Sequence, residues 1–171
     1  KLQALLPQLE SLRRRLAARG WEVRPGEPLK VTLCPKGYGY TGSEVAAALE
    51  SGGIYPEFYD TDHVVLMVSP QNDPAELRRL EEVLAALPRR QAIRQGPPPM
   101  PRLEQAVTPH EAMLSPWEEV PLAACCGRIS AAGALGCPPA VPVVLCGQRI
   151  DAAAVEVLRY YGFRRCAVLT E

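Results

Sequence analysis

The run Gly96-Pro97-Pro98-Pro99-Met100-Pro101 limits what this chain can fold into more than any other feature. Consecutive prolines lack N–H donors and hold φ near about −65°, so they neither continue a helix nor join a sheet interior. They favour extended polyproline geometry, and residues 95–102 are read as a semi-rigid connector. The connector separates a front unit, residues 1–94, from a back unit, residues 103–171. A chain of 171 residues is long enough for two small domains.

In the front unit, Leu2, Leu5, Leu6, Leu9, Leu12 and Leu16 recur at helical spacing. Pro7 either begins this helix or kinks it. Arg13, Arg14, Arg15 and Arg19 suit the C-terminal end of the helix dipole and read as a solvated face, and Gly20 is a stop. Residues 29–34 alternate as a strand that Lys30 and Lys36 flank at a sheet edge. Residues 43–51 form a helix ended by Gly52-Gly53, residues 54–59 are extended, and residues 63–68 are a strong strand. Asp73 is an N-cap with Pro74 at N1, and the helix it opens runs to about Leu87. The order predicts a small α+β domain with helices on one side of a sheet.

In the back unit, Thr108-Pro109 opens a short helix and residues 122–126 form another. Strands are expected at residues 128–131, 141–146 and 165–169. A helix over residues 151–161 is capped by Asp151 and stopped by Gly162. The fold class for the whole chain is therefore α+β.

Nineteen basic residues balance nineteen acidic ones, which removes any case from bulk charge for nucleic acid or an anionic membrane. No apolar run approaches the roughly 20 residues of a membrane span, and the start has no leader-like apolar stretch. Cys34, Cys125, Cys126, Cys137, Cys146 and Cys166 form no Cys-x-x-Cys pair, and His63 and His110 are the only imidazoles. No metal site is expected. The cysteines read as reduced, mostly buried thiols of a cytoplasmic protein, and the two histidines as packing residues. Ser43 and Ser130 lack the base and elbow of a nucleophile.

Gly37-Tyr38-Gly39-Tyr40-Thr41-Gly42 fits Gly-x-Gly-x-x-Gly between a strand and a helix, with Asp60 and Asp62 downstream. On paper this is the dinucleotide fingerprint. However, Pro35-Lys36 separates it from the strand, and the crossover is too short for a parallel partner. It is read as a glycine-rich turn that caps the helix through Thr41 or Ser43.

Two blocks in the back unit carry a resemblance. They are Gly127-Arg128-Ile129-Ser130-Ala131 and Gly136-Cys137-Pro138-Pro139-Ala140-Val141-Pro142-Val143-Val144-Leu145-Cys146-Gly147-Gln148. Together they resemble the C-terminal domain of the bacterial ornithine/lysine/arginine decarboxylases that depend on pyridoxal phosphate (PLP). There the blocks read roughly Gly-Arg-Ile-Ser-Ala and Tyr-Pro-Pro-Gly-x-Pro-x-x-x-Pro-Gly-Glu. In the front unit, Pro28-Leu29-Lys30-Val31-Thr32-Leu33, Gly39-Tyr40-Thr41-Gly42, Gly53-Ile54-Tyr55-Pro56-Glu57 and the strand Val64-Val65-Leu66-Met67-Val68 resemble the small domain that follows the PLP domain in the same family.

The resemblance implies a small sheet domain of a fold-type I PLP enzyme followed by a second small α+β domain. It also implies an upstream PLP-binding domain in the same polypeptide and a homo-oligomer. A start at Lys1 without Met fits a fragment boundary. The family's PLP lysine follows Ser-x-His, whereas Lys1, Lys30 and Lys36 follow no histidine. So PLP belongs to the full-length parent, this chain holds neither cofactor nor catalytic residues, and alone it is expected to be inactive. Residues carried over to the substrate entrance are Arg128, Cys137, Pro138, Pro139, Gly147 and Gln148. Cys137, Ala140, Cys146 and Gln148 stand where the family has Tyr, Gly, Pro and Glu, and the last change removes a charge partner for a cationic substrate. A non-catalytic docking or assembly module, or a degenerate homologue, is the alternative. The leucine face of residues 2–16 is expected to be left uncovered and to pair with another copy.

Overall fold

The computed structural model describes residues 2–135 and 142–170. The chain divides into two compact units, Lys1–Gly96 and Pro97–Glu171.

The front unit opens with α1 (Leu2–Ala18), which contains Pro7, then β1 (Glu22–Arg24) and β2 (Lys30–Cys34). A 3-10 turn (Pro35–Tyr38) leads into α2 (Gly42–Ser51), followed by β3 (Phe58–Tyr59), β4 (Val64–Met67) and α3 (Pro74–Ala85). The strands form one antiparallel sheet in the order β1-β2-β4-β3. Val31 and Leu33 of β2 and Val64 and Leu66 of β4 point to one face. There they pack with Leu5, Leu9, Leu12 and Leu16 of α1, Val45 and Leu49 of α2, and Leu77, Leu80 and Leu84 of α3.

Three expectations for this unit are corrected. The leucine face of α1 is not left open for another copy, because Leu9, Leu12 and Leu16 are fully buried inside the unit's own core. An amphipathic stripe shows that a face is buried but not by what. The strand at residues 30–34 is interior, because β1 covers the side expected to be an edge. Strand β1 escaped notice because its three residues bury no side chain fully.

The glycine motif serves a structural purpose. Thr41 forms a capping box with Glu44, in which Thr41 Oγ1 accepts from Glu44 N and Glu44 Oε2 accepts from Thr41 N. Strand β2 pairs with an antiparallel neighbour, so the parallel crossover of a dinucleotide site is not formed here. Gly39 adopts φ 99°, and a Cβ there would lie 2.5 Å from Arg90 Cβ. The close approach admits a strap of residues 88–95. Tyr40 Oη donates to Pro88 O (2.7 Å), Arg90 N to Tyr38 O (3.1 Å), Ile93 N to Lys36 O (3.0 Å) and Lys36 Nζ to Gln95 O (2.8 Å). The Arg90 guanidinium lies 4.0 Å over the Tyr40 ring.

The back unit contains α4 (Pro109–Leu114), β5 (Trp117–Pro121), a 3-10 turn (Leu122–Ala124), β6 (Ala134–Leu135), β7 (Val144–Leu145), α5 (Ala152–Tyr160) and β8 (Arg165–Leu169). Strands β5 and β8 pair antiparallel, as do β6 and β7. Val120, Leu122, Val144, Ile150, Val157, Leu158 and Val168 centre its core. Four differences from expectation stand out. Strand β5 was not foreseen, because only Val120 of its five residues is buried. Residues 128–131 form no named strand and are joined by isolated bridges, Ile129 to Arg149 and Ser130 to Val168. The second helix is only a 3-10 turn ending at Ala124. The strand expected at residues 141–146 narrows to Val144–Leu145 among the described residues.

Cys34, Cys125, Cys146 and Cys166 are buried, Cys126 is exposed, and all five are free thiols. Burial raises the Cys125 thiol and pushes that of Cys166 up to about 12. Among the described residues no cluster of His, Cys, Asp or Glu is arranged for a metal, and no helix is long and apolar enough to cross a membrane.

Because the strap is tied down through Gln95, limited trypsin digestion should cut after Arg102 before Arg94. Peptide mass mapping of the first products tests this, and a first cut at Arg94 would mean that the strap is not held.

Candidate functional site

Of the residues carried to the substrate entrance, Arg128, Gly147 and Gln148 fall among the described residues, whereas Cys137, Pro138 and Pro139 lie outside them, as does Ala140. The first three converge. Gly147 N donates to Ser130 O and Ser130 N to Gln148 O, both at 2.8 Å. One step on, Ile150 N donates to Arg128 O (2.9 Å) and Gly127 N to Ile150 O (2.7 Å). The Gly-Arg-Ile-Ser block and the Gly-Gln turn are thus stitched together main chain to main chain.

Gly147 is needed at its position. It has φ 81°, and a Cβ would lie 2.3 Å from Val107 O and 2.5 Å from Gln105 Nε2. Its carbonyl accepts from Ala106 N (3.0 Å) and Val107 N (3.2 Å). Gln105 Nε2 donates to Val107 O and Cys146 O, which closes the turn from the other side. Gln105 and Val107 were missed in the sequence because they act through the backbone and form no recognisable motif.

The polar side chains bond to the domain's own groups. Gln148 Oε1 accepts from Leu145 N at 2.8 Å, capping the turn it belongs to. Arg128 Nη2 donates to Glu118 Oε1 and to Leu169 O, each at 2.7 Å, and so ties β5 to the end of β8. Arg149 donates to Gly127 O and pairs with Glu104. Buried Ser130 has an Oγ without a hydrogen-bond partner, and Cys146 Sγ contacts Pro109 O and Ala131 O at 3.8 and 3.7 Å.

A second polar cluster lies in the front unit and corrects the reading of His63 as a plain packing residue. Asp60 Oδ1 accepts from Asp62 N and His63 N, both at 2.7 Å, and lies 3.4 Å from His63 Nδ1. The side-chain contact is ionic, because Nδ1 has no partner in hydrogen-bonding geometry. Asp60 beside it, and then Cys34, raise the His63 imidazole to about 9 against the opposing effect of burial. Burial pushes the Asp60 carboxyl up, but His63 and the two backbone N–H groups outweigh it and hold the group low. Next to this pair, Lys36 Nζ lies 2.6 Å from Asp62 Oδ1 with both side chains largely buried.

Residues 89–167 match the family described as the Orn/Lys/Arg decarboxylase C-terminal domain. The match is to that C-terminal domain and covers just under half of the chain. An arginine decarboxylase of Bacillus subtilis is 28% identical over 133 residues, which is 72% of this chain and 27% of that protein. Among solved structures, the Francisella novicida lysine decarboxylase aligns at TM-score 0.69 and 16% identity over 99% of this chain and 40% of its own. The constitutive lysine decarboxylase of E. coli aligns over the same shares at TM-score 0.63 and 18% identity. The chain therefore spans well under half the length of these relatives. The structural likeness bears on the fold and extends the α+β match beyond the C-terminal domain into the front unit. In this chain the Gly-Arg-Ile-Ser and Gly-Gln elements meet as a main-chain hub.

Replacing Gly147 with Ala should cost about 2–5 kcal/mol, from positive-φ strain plus contact with Val107 O. The urea midpoint of the back unit measures it. A change below about 0.5 kcal/mol, the level of an ordinary surface substitution, would remove Gly147 from this role.

His63 binds its proton more tightly when folded, so its contribution is fully present below the unfolded value of 6.5 and is lost as pH rises through about 9. Stability should fall across that window by on the order of 1–3 kcal/mol. His63→Gln should flatten the slope in denaturant titrations at pH 6, 7.5 and 9 (about one point per regime). An equal slope in the variant would place its origin elsewhere.

Proposed function

We propose that this chain is the rear part of a PLP-dependent amino-acid decarboxylase acting on ornithine, lysine or arginine. In this reading the region of Arg128, Gly147 and Gln148, with Cys137, Pro138 and Pro139, borders the substrate entrance and shapes subunit contacts. The observation that carries it is the family match over residues 89–167, supported by alignment of nearly the whole chain within longer decarboxylases. The parent is read as a cytoplasmic homo-oligomer.

PLP chemistry requires a lysine with an amine free to form a Schiff base, and the cofactor then acts as an electron sink. The lysines in the described residues do not fit. Lys30 Nζ pairs with Glu27 Oε1 at 2.9 Å, and Lys36 Nζ is held by Asp62 and Gln95 O. The Schiff-base lysine is therefore assigned to an upstream PLP-binding domain of the same polypeptide, and this chain alone is read as inactive.

A second reading, a non-catalytic docking or assembly module, draws on a specific observation. Arg128 and Gln148 both spend hydrogen bonds on the domain's own backbone. The two readings part at residue 148. A glutamate there would still accept from Leu145 N, so Gln148→Glu keeps the turn and adds a charge. In the full-length enzyme with PLP bound, this variant should bind a cationic amino acid more tightly by about 1–3 kcal/mol, the scale of a charge-assisted hydrogen bond. Steady-state decarboxylation of lysine, ornithine and arginine by wild type and variant reads it. Unchanged parameters for all three would make residue 148 architectural and favour the assembly module.

A further inference from the structure

We propose that Cys34, set across the sheet from His63 and backed by Asp60, is a modification site that reacts with hydrogen peroxide to form a sulfenic acid. The placement follows from strand register. Strands β2 and β4 pair Lys30 with Met67 through Leu33 with Val64. Cys34 follows and His63 precedes the last of these pairs, Leu33 with Val64, and the Cys34 side chain acts on the His63 imidazole. Both project to the face opposite Val31, Leu33, Val64 and Leu66, and neither belongs to the front unit's apolar core. Cys34 is buried but keeps 9% of its surface open.

The groups around the sulfur suit this chemistry. The thiolate is the attacking form of cysteine, and a neighbouring cation stabilises the charge that the sulfur must carry. His63 supplies that cation at neutral pH. Asp60 holds it: Oδ1 is fixed by two backbone N–H groups, and Oδ2 is buried without a hydrogen-bond partner. Asp62 does not compete for the imidazole, because Lys36 pairs with it. The other described thiols differ. Cys125 and Cys166 lie in the back unit's apolar core, where burial disfavours their anions. Cys146 Sγ lies against the carbonyl oxygens of Pro109 and Ala131. Cys126 is exposed and provides an internal reference.

The Cys34 proton passes to solvent, and the sulfur attacks the nearer peroxide oxygen. An S–O bond forms while the O–O bond breaks. The His63 imidazolium gives a proton to the leaving hydroxide, which departs as water, and the imidazole regains a proton from solvent. The sulfur is oxidised by two electrons and the peroxide reduced by two. The net change is thiol plus hydrogen peroxide to sulfenic acid plus water.

The test treats the folded 171-residue chain with limiting hydrogen peroxide at neutral pH, removes the peroxide after timed intervals and unfolds the chain in dimedone, so that access to the label is equal for every cysteine. Labelling of each cysteine is followed by peptide-resolved mass spectrometry. Cys34 should label at least about tenfold faster than Cys126, and His63→Gln should slow Cys34 by about tenfold or more while leaving Cys126 unchanged. Asp60→Asn, which keeps an acceptor but removes the charge, should slow Cys34 to a smaller degree. Circular dichroism confirms that each variant is folded. The wild-type comparison stands even if neither variant folds: Cys34 labelling no faster than Cys126 overturns the proposal. So does a folded His63→Gln variant in which the Cys34 rate is unchanged.

Discussion

Satisfying buried main-chain groups is the constraint on which the back unit rests. Its regular pairing is scarce, with strands of only two to five residues in two separate two-stranded sheets. Every buried N–H and C=O left over must find a partner elsewhere, because an unpaired one costs about as much as a lost hydrogen bond. The solution is to fold irregular segments onto one another. Residues 127–130, 104–107 and 147–150 meet in a mesh of short backbone bonds. Gly147 permits the mesh, since any side chain there would occupy the space of Val107 O.

This arrangement gives the family's motif residues a physical meaning. Arg128 ties the mesh to the neighbouring strands, its side chain reaching Glu118 of β5 and the last residue of β8 together. Gln148 caps its own turn through an acceptor that Glu would supply equally well. The difference between Gln and Glu at this position is therefore one of charge, not of local folding.

What was legible in the sequence was local. Thr41, Asp73, Thr108 and Asp151 all accept from backbone N–H groups at the helix starts they were expected to open or, for Thr41, offered as one of two candidates. Capping depends on residues three apart, so a reader needs no tertiary partner to find it. The α+β class followed from the same signals. What was missed is non-local. Strand β5 is recognisable only beside β8, and residues 128–131 look like a strand until their partners prove to be two different segments. The neighbours of His63 were hidden for the same reason. Cys34 lies 29 positions away in sequence, and only the register of β2 on β4 brings the two together. The motif residues of the back unit were legible through family likeness rather than through periodicity, and part of that block, residues 136–141, lies outside the described structure.

The strap also separates two ways of drawing a boundary. The family match begins at residue 89, inside the strap, whereas the hydrogen bonds of residues 88–95 belong to the front unit. Excising the back domain along the line of sequence homology would strip the front unit of the donors that satisfy Tyr38 O and Lys36 O. It would also unroof the Tyr40 ring that Arg90 covers. The inheritable module and the mechanical module thus overlap by several residues, so a recombination that joins this back domain to a foreign front domain must carry its own lacing or leave a seam open.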